Sequence, residues 1–129
     1  MAISDSKLIS LVAGATFAEA DLYRAVGVDS SGNAVLYNDA LGATGGVGVI
    51  GTLYSVTSTT ASAGNEAVSI GVGPVLKAFM SGSTLAAGNI ITFATQDGHV
   101  IVAATNEAFG VISVGSSGDT GRIASVIRF

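Results

Sequence analysis

The stretch Gly64–Val100, GNEAVSIGVGPVLKAFMSGSTLAAGNIITFATQDGHV, decides the fold of this chain. It predicts three short strands separated by turns. Ala67–Val72 alternates apolar and small residues, Pro74–Met80 begins at the only proline, and Ile90–Ala94 precedes an Asp-Gly pair at 97–98. Asp-Gly between two apolar runs predicts a hairpin, because a type I′ turn needs positive φ at both central residues. The stretch therefore predicts a compact β-module with small, closely packed side chains.

The remaining chain continues the same pattern of short apolar runs and turn residues. Turns recur every 8 to 12 residues or so, which is typical of an all-β barrel or sandwich. We expect an all-β fold: a small barrel or sandwich of two meander-like halves, with short hairpins and at most one or two short helical turns. The other predicted strands are Lys7–Ala13 (for which a short helix fits nearly as well), Leu22–Val28, Ala34–Tyr37, Val47–Val56, Ala108–Val114 and Gly121–Phe129, and the best helix candidates are Phe17–Tyr23 and Thr84–Ala87.

Two segments, residues 21–70 and 89–126, follow the same order of features. Each has a hairpin, a strand with Gly-Val-Ile (48–50 and 110–112), a turn with an acidic residue and a further strand. Such a repeat predicts two similar β-units that pack together. The length of 129 residues favours one domain. We expect residues 17–129 to form a single β domain and residues 1–16 to form an N-terminal arm or first strand.

Composition restricts the kind of partner. Five Lys and Arg stand against nine Asp and Glu, a net charge of −4 that argues against a nucleic-acid partner. Charged residues make up only 11% of the chain, well below the roughly 25% of an average soluble domain. Such a surface favours a protein that covers part of itself with other subunits, although a monomer with a Ser/Thr-rich coat is the alternative. We expect neither a secretory leader nor a membrane span.

No residue pattern points to catalysis, a cofactor or a metal. The only histidine, His99, follows Asp97-Gly98 and is best interpreted as a turn residue. Asp29, Asp97 and Asp119 lie in Gly-containing turns, where Asp side chains bond to the backbone, and no calcium-loop spacing is present. The absence of cysteine excludes disulfides and thiolate metal sites. We therefore expect no enzyme activity, no cofactor and no metal.

The order of turns and strands over about Phe17–Phe129 resembles the capsid decoration (cement) proteins of tailed bacteriophages. The motifs are turn and strand patterns rather than a chemical signature, and the first sixteen residues and Ala40–Gly46 match no part of the family's pattern. The residues that carry the resemblance are Tyr23-Arg24-Ala25-Val26, Asp29-Ser30-Ser31-Gly32, Ala63-Gly64-Asn65-Glu66, Gly71-Val72-Gly73-Pro74-Val75-Leu76-Lys77-Ala78, Leu85-Ala86-Ala87-Gly88-Asn89-Ile90-Ile91, Asp97-Gly98-His99-Val100 and Gly110-Val111-Ile112.

The resemblance implies a protein made in the host cytoplasm that binds the outside of the mature head. Its partner would be the major capsid protein, whose neighbouring subunits it would clamp against internal DNA pressure, commonly as a homotrimer. The candidate capsid or subunit contacts are Lys7, Leu8, Ile9, Arg24, Lys77 and Arg122, and Arg128 could also reach an acidic patch. The alternatives are a non-enzymatic surface or glycan-binding β-module and another virion structural protein such as a fibre or shell protein.

Overall fold

Antiparallel strands make up almost all of the regular structure. The computed structural model describes residues 6–37, 45–57, 66–80, 86–94, 98–103, 109–114 and 123–129. Within these ranges every strand pair is antiparallel, and the one helical element is a 3₁₀ turn at Glu19–Asp21. The all-β fold expected from the sequence is confirmed. The strands are β1 (Ser6–Val12), β2 (Ala25–Val28), β3 (Ala34–Leu36), β4 (Val47–Leu53), β5 (Ala67–Phe79), β6 (Ile90–Phe93), β7 (Val100–Val102), β8 (Gly110–Val114) and β9 (Ile123–Arg128).

The sheet is built from two halves with the same strand order. The sheet order is β3-β2-β4-β5-β9-β8-β6-β7, and β1 pairs with β5 outside this path. In the first half, β2 and β3 form a hairpin, β4 pairs with β2, and β5 pairs with β4. In the second half, β6 and β7 form the hairpin, β8 pairs with β6, and β9 pairs with β8. This arrangement confirms the two halves, and in each the third strand lies beside the first strand of the hairpin.

The turns that the sequence marked are formed by the residue chemistry expected of them. Asp29 Oδ1 accepts hydrogen bonds from the backbone N–H groups of Ser31 and Asn33, both at 2.9 Å. Gly32 has a φ of +84°, which glycine adopts without steric cost. Gly98, in the connection between β6 and β7, has a φ of +67°. β6 and β7 pair as the antiparallel hairpin that the sequence predicted. Asp97 itself lies outside the described residues.

The two strands predicted at Ala67–Val72 and Pro74–Met80 are one bent strand, β5, and the prediction of a break at Gly73 was wrong. Thr52 pairs with Gly71, and its Oγ1 also donates to the Lys77 carbonyl at 2.8 Å. Six residues of straight strand span about 20 Å, so β5 must bend between these two contacts. Gly73, with a φ of +103°, lies within that segment and precedes a cis Gly73–Pro74 peptide bond.

A second boundary prediction was also wrong. Leu22–Val28 was expected to be one strand, but β2 begins only at Ala25. Tyr23 has a φ of +65°, outside the extended region, so the chain cannot enter the sheet there. The helix candidate Phe17–Tyr23 is reduced to the 3₁₀ turn, where Asp21 Oδ2 accepts the N–H of Ala18 at 2.9 Å.

Two hydrophobic cores lie on either side of β2. Its Ala25 belongs to one core and its Val26 to the other, and both are completely buried. The first core joins the two halves and contains Leu76, Ala78, Met80, Ile91, Phe93, Val100, Ile112, Ala124 and Val126 in addition to Ala25. The second core contains Ala13, Phe17, Ala34, Leu53, Val68 and Ile70 in addition to Val26. Residues 13–17 therefore pack against the first half of the sheet.

Arg128 connects the last strand to the first half. Its Nη1 donates to the carbonyls of Ile50, at 2.6 Å, and Val72, at 2.9 Å. Its guanidinium also lies 4.9 Å from the ring centroid of Phe109. These contacts attach the end of β9 to β4 and β5. A contact of Arg128 with an acidic patch on a partner stays a prediction.

We predict that Gly71→Ala lowers the stability of the fold. A methyl group at Gly71 would overlap the ring of Tyr54, and overpacking of this kind costs about 1–3 kcal/mol. Urea unfolding followed by circular dichroism measures the change. Gly48→Ala is the matched control within β4, because its added carbon would lie 3.4 Å from Tyr37 Cε1, an ordinary contact. Equal unfolding midpoints for the two variants would show that Tyr54 does not pack over Gly71.

Candidate functional site

Three of the candidate contact residues, Lys7, Leu8 and Ile9, lie on the edge strand β1. This strand pairs with β5 along one side, and within the described ranges no second strand pairs with it. Leu8 is 50% exposed, and Ile9, whose side chain points to the opposite face, is 37% exposed. Proteins usually protect an apolar edge of this kind. The edge of β1 is therefore one candidate contact surface.

The outer face of the second half carries an apolar row that crosses four strands. Register pairs Ile90 with Val111 and Val111 with Ile127, and Ile127 in turn pairs with Val75. Directly paired residues point to the same face. Ile90 is 43% exposed and Ile127 is 41% exposed, while the two valines are half-buried. We call these four residues the outer row, and it is a second candidate contact surface.

Arg24 and Lys77, distant in sequence, come together beside a cavity. The cavity has a volume of about 460 Å³ and is lined by Tyr23, Lys77, Ile123, Ala124 and Ser125. The Lys77 ammonium lies 5.7 Å from the ring centroid of Tyr23. The Arg24 guanidinium lies 4.3 Å from the ring centroid of Phe79, which is two residues beyond Lys77 on the same face of β5.

Tyr23 is held in a strained conformation by the strands around the cavity. Its φ of +65° lies in the left-handed region, which costs a non-glycine residue on the order of 1 kcal/mol or more. Its N–H donates to the Leu53 carbonyl at 2.7 Å, and its own carbonyl accepts the N–H of Phe79 at 2.8 Å. These bonds join the ends of β4 and β5, and they fix the backbone from which the ring projects.

Two side chains hydrogen-bond to the backbone of Lys77 at the point where β4 separates from β5. Its N–H donates to the hydroxyl of Tyr54 at 2.7 Å, and its carbonyl accepts the Thr52 hydroxyl at 2.8 Å. The rings of Tyr54 and Tyr23 are in edge-to-face contact, with centroids 5.3 Å apart. On its other side, Lys77 pairs with Ser125 of β9. The walls of the cavity are therefore fixed on both sides of the lysine.

The side chains of Lys77 and Ser125 have polar atoms without partners in the protein. Across the part of the chain that the structure describes, the Lys77 ammonium has no carboxylate partner and the Ser125 hydroxyl makes no hydrogen bond. Because the two residues are directly paired across β5 and β9, their side chains lie on one face. Together they present an ammonium and a hydroxyl, both hydrogen-bond donors, to whatever enters the cavity.

The sequence identified the two cations but missed the aromatic cluster. Phe17 and Phe93 are buried in the two cores. Tyr23, Tyr54 and Phe79 instead surround the cations. The spacing of Lys77 and Phe79 would have placed both on one strand face, but no local signal brings them to Tyr23. Arg122 lies outside the described residues, and its contact remains a prediction.

The described residues offer no assembled chemistry for a metal. Within them, no group of three or more His, Cys, Asp and Glu side chains lies close enough to hold an ion. Nor does any helix among these residues have the length and apolarity needed to cross a membrane.

Comparison with known proteins shows a likeness of fold but no match of sequence. No protein-family model and no curated protein sequence matches the chain. The fold is similar to that of the head fiber gp8.5 N base in bacteriophage phi29, with a TM-score of 0.54 and 11% sequence identity. The match covers 96% of this chain and 94% of that chain. At this identity the likeness establishes a shared fold over nearly the whole of both chains.

We predict that Tyr54→Phe loosens the cavity wall without removing the ring contact with Tyr23. The loss of the hydroxyl leaves the Lys77 N–H without its acceptor, which costs about 1–3 kcal/mol for a buried donor and less where water can reach it. Amide hydrogen exchange should be faster at Lys77 in this variant. Tyr37→Phe is the control, because within the described residues the Tyr37 hydroxyl makes no hydrogen bond. Unchanged exchange at Lys77 would contradict the bond.

Proposed function

We propose that this protein is a structural component of a bacteriophage head that binds the outer capsid surface as a decoration protein. The observation that carries the proposal is the fold shared with the phi29 head fiber base over nearly the full length of both chains. The resemblance of the turn and strand motifs to decoration proteins was found independently in the sequence. In this proposal the chain has no catalytic role.

The exposed apolar surfaces support a role in assembly. The outer row and the edge of β1 display large apolar side chains in a chain with only 11% charged residues. Burial of one such side chain is worth about 1.5–3 kcal/mol, so a few contacts per copy give useful affinity. A protein that contacts two neighbouring capsid subunits also gains from effective concentration, because the second contact forms within an already bound complex. Many copies would together clamp the major capsid protein against internal pressure.

A fibre base is the second candidate function, and the identity of the structural neighbour favours it. A fibre base would also bind the head, but it would carry a longer fibre segment. Mass spectrometry of the intact protein from purified virions separates the two: a decoration protein has the 12.6 kDa mass of this chain, whereas a fibre protein is larger.

We predict that the purified protein sediments with expanded, undecorated heads, and that Leu8→Asp weakens this binding at least tenfold. A carboxylate at the half-exposed Leu8 would have to be desolvated against the capsid. The bound fraction after pelleting, measured over a concentration series, gives the affinity. Wild-type protein left wholly in the supernatant would overturn the proposed function.

The matched control for Leu8→Asp is Val102→Asp. Val102 is 58% exposed and lies on β7, at the opposite end of the sheet order from β3 and outside both candidate surfaces. Both variants carry the same added charge, so a general effect of charge would weaken them equally. Equal loss of binding would mean that β1 is not the contact surface.

We also predict self-association, because one copy leaves the apolar outer row and β1 exposed, and the resemblance to decoration proteins implies that the assembly is a homotrimer. Native mass spectrometry should give three times the 12.6 kDa mass of the chain. A monomer at all concentrations, both free and after release from heads, would contradict the trimer.

A further inference from the structure

We propose that the cavity beside Tyr23 binds a carboxylate side chain, Asp or Glu, of a protein partner. This inference rests on the proposed function, in which the partner is the major capsid protein. Lys77 and Ser125 are the binding residues, and Tyr23, Tyr54 and Thr52 position them.

The donors match a carboxylate in number and type. The Lys77 ammonium and the Ser125 hydroxyl project from directly paired residues into one cavity, and neither has a polar side-chain partner within the described residues. A carboxylate has two oxygens and only accepts hydrogen bonds, so it can take one bond from each group. The bond from the ammonium is charge-assisted and is roughly twice as strong as a neutral one.

The charge of the chain makes this lysine unusual. Acidic residues outnumber basic ones by nine to five, and Lys77 still has no carboxylate within reach in the described ranges. The guanidinium of Arg24, against Phe79, adds a second positive group to the same surface. An acidic group from outside the chain would give the Lys77 ammonium the carboxylate partner that the described residues lack.

The cavity is preorganised to receive a ligand. The backbone of Lys77 is bonded to Thr52 and Tyr54 on one side and paired with Ser125 on the other. Tyr23 keeps its left-handed backbone through bonds to the ends of β4 and β5. Strain of this kind is concentrated at functional sites. A site whose groups are already ordered loses less conformational entropy when it binds.

The surroundings favour a protein over an acidic sugar. A sugar would stack on an open aromatic face, but the Tyr23 ring already contacts Tyr54 and lies beneath the Lys77 ammonium. Ile123, which lines the cavity, is 39% exposed, and Ile127, in the outer row, lies on the same face. The cavity is therefore continuous with an apolar sheet face, as expected where an acidic side chain is anchored within a protein interface.

The first test measures sedimentation of Lys77→Gln with expanded heads at low salt. We expect at least tenfold weaker binding than wild type, at least threefold weaker binding for Ser125→Ala, and substantial rescue in Lys77→Arg. Urea unfolding of each variant shows whether the fold is kept. The double variant Lys77→Gln, Val102→Lys restores the net charge at a distant exposed position and should not restore binding. Rescue by that double variant, or wild-type binding by a folded Lys77→Gln, would overturn the carboxylate site while head binding stands.

The second test examines the cavity without heads. Acetyl-glutamate amide and N-acetylneuraminic acid are titrated separately into the labelled protein, and the amide signals of Tyr23, Lys77 and Ser125 are followed by NMR. We expect acetyl-glutamate amide to shift these signals in wild type and not in Lys77→Gln. No shift with either compound would overturn the carboxylate site. Tighter binding of N-acetylneuraminic acid than of acetyl-glutamate amide would overturn the inference that the ligand is a protein side chain. If wild type fails to bind heads yet acetyl-glutamate amide still binds here, the proposed function fails and the carboxylate site stands.

Discussion

The bend in β5 is the constraint on which the rest of the structure depends. This 13-residue strand pairs with β4 and β1 near its start and with β9 near its end, so both halves of the sheet are attached to it. Because it bends, the two halves close around the first core instead of extending as one flat sheet. Arg128 holds the closed form by bonding the last strand to the carbonyls of Ile50 and Val72.

The same bend creates the cavity. Where β4 separates from β5, the hydroxyls of Thr52 and Tyr54 replace ladder bonds and satisfy the backbone of Lys77. Tyr23 fills the corner in a left-handed conformation that an isolated chain would rarely adopt. The binding residues are thus held by the elements that close the fold, so the site and the fold's stability are linked.

The inner and outer faces of the sheet have different roles. The inner faces are buried in two cores, whereas the outer row and β1 leave large apolar side chains in contact with solvent. Contiguous exposed apolar surfaces usually mark sites of interaction with other proteins. The proposed attachment to a phage head would cover them, and the exposed cation at Lys77 would give that attachment specificity for an acidic residue.

The sequence by itself determined the all-β class, the turns at Asp29 and Gly98 and the two repeated halves, because alternation and turn chemistry act between neighbouring residues. It marked Lys77 and Arg24 as candidate contacts, but it placed a strand break at Gly73 and began β2 too early. Only the tertiary structure decided that β5 is continuous, that Tyr23 is left-handed, and that Tyr23 meets Lys77 and Ser125. Those outcomes depend on contacts between residues that lie from about 20 to about 100 positions apart, and no local pattern in a single sequence encodes which distant strands pair.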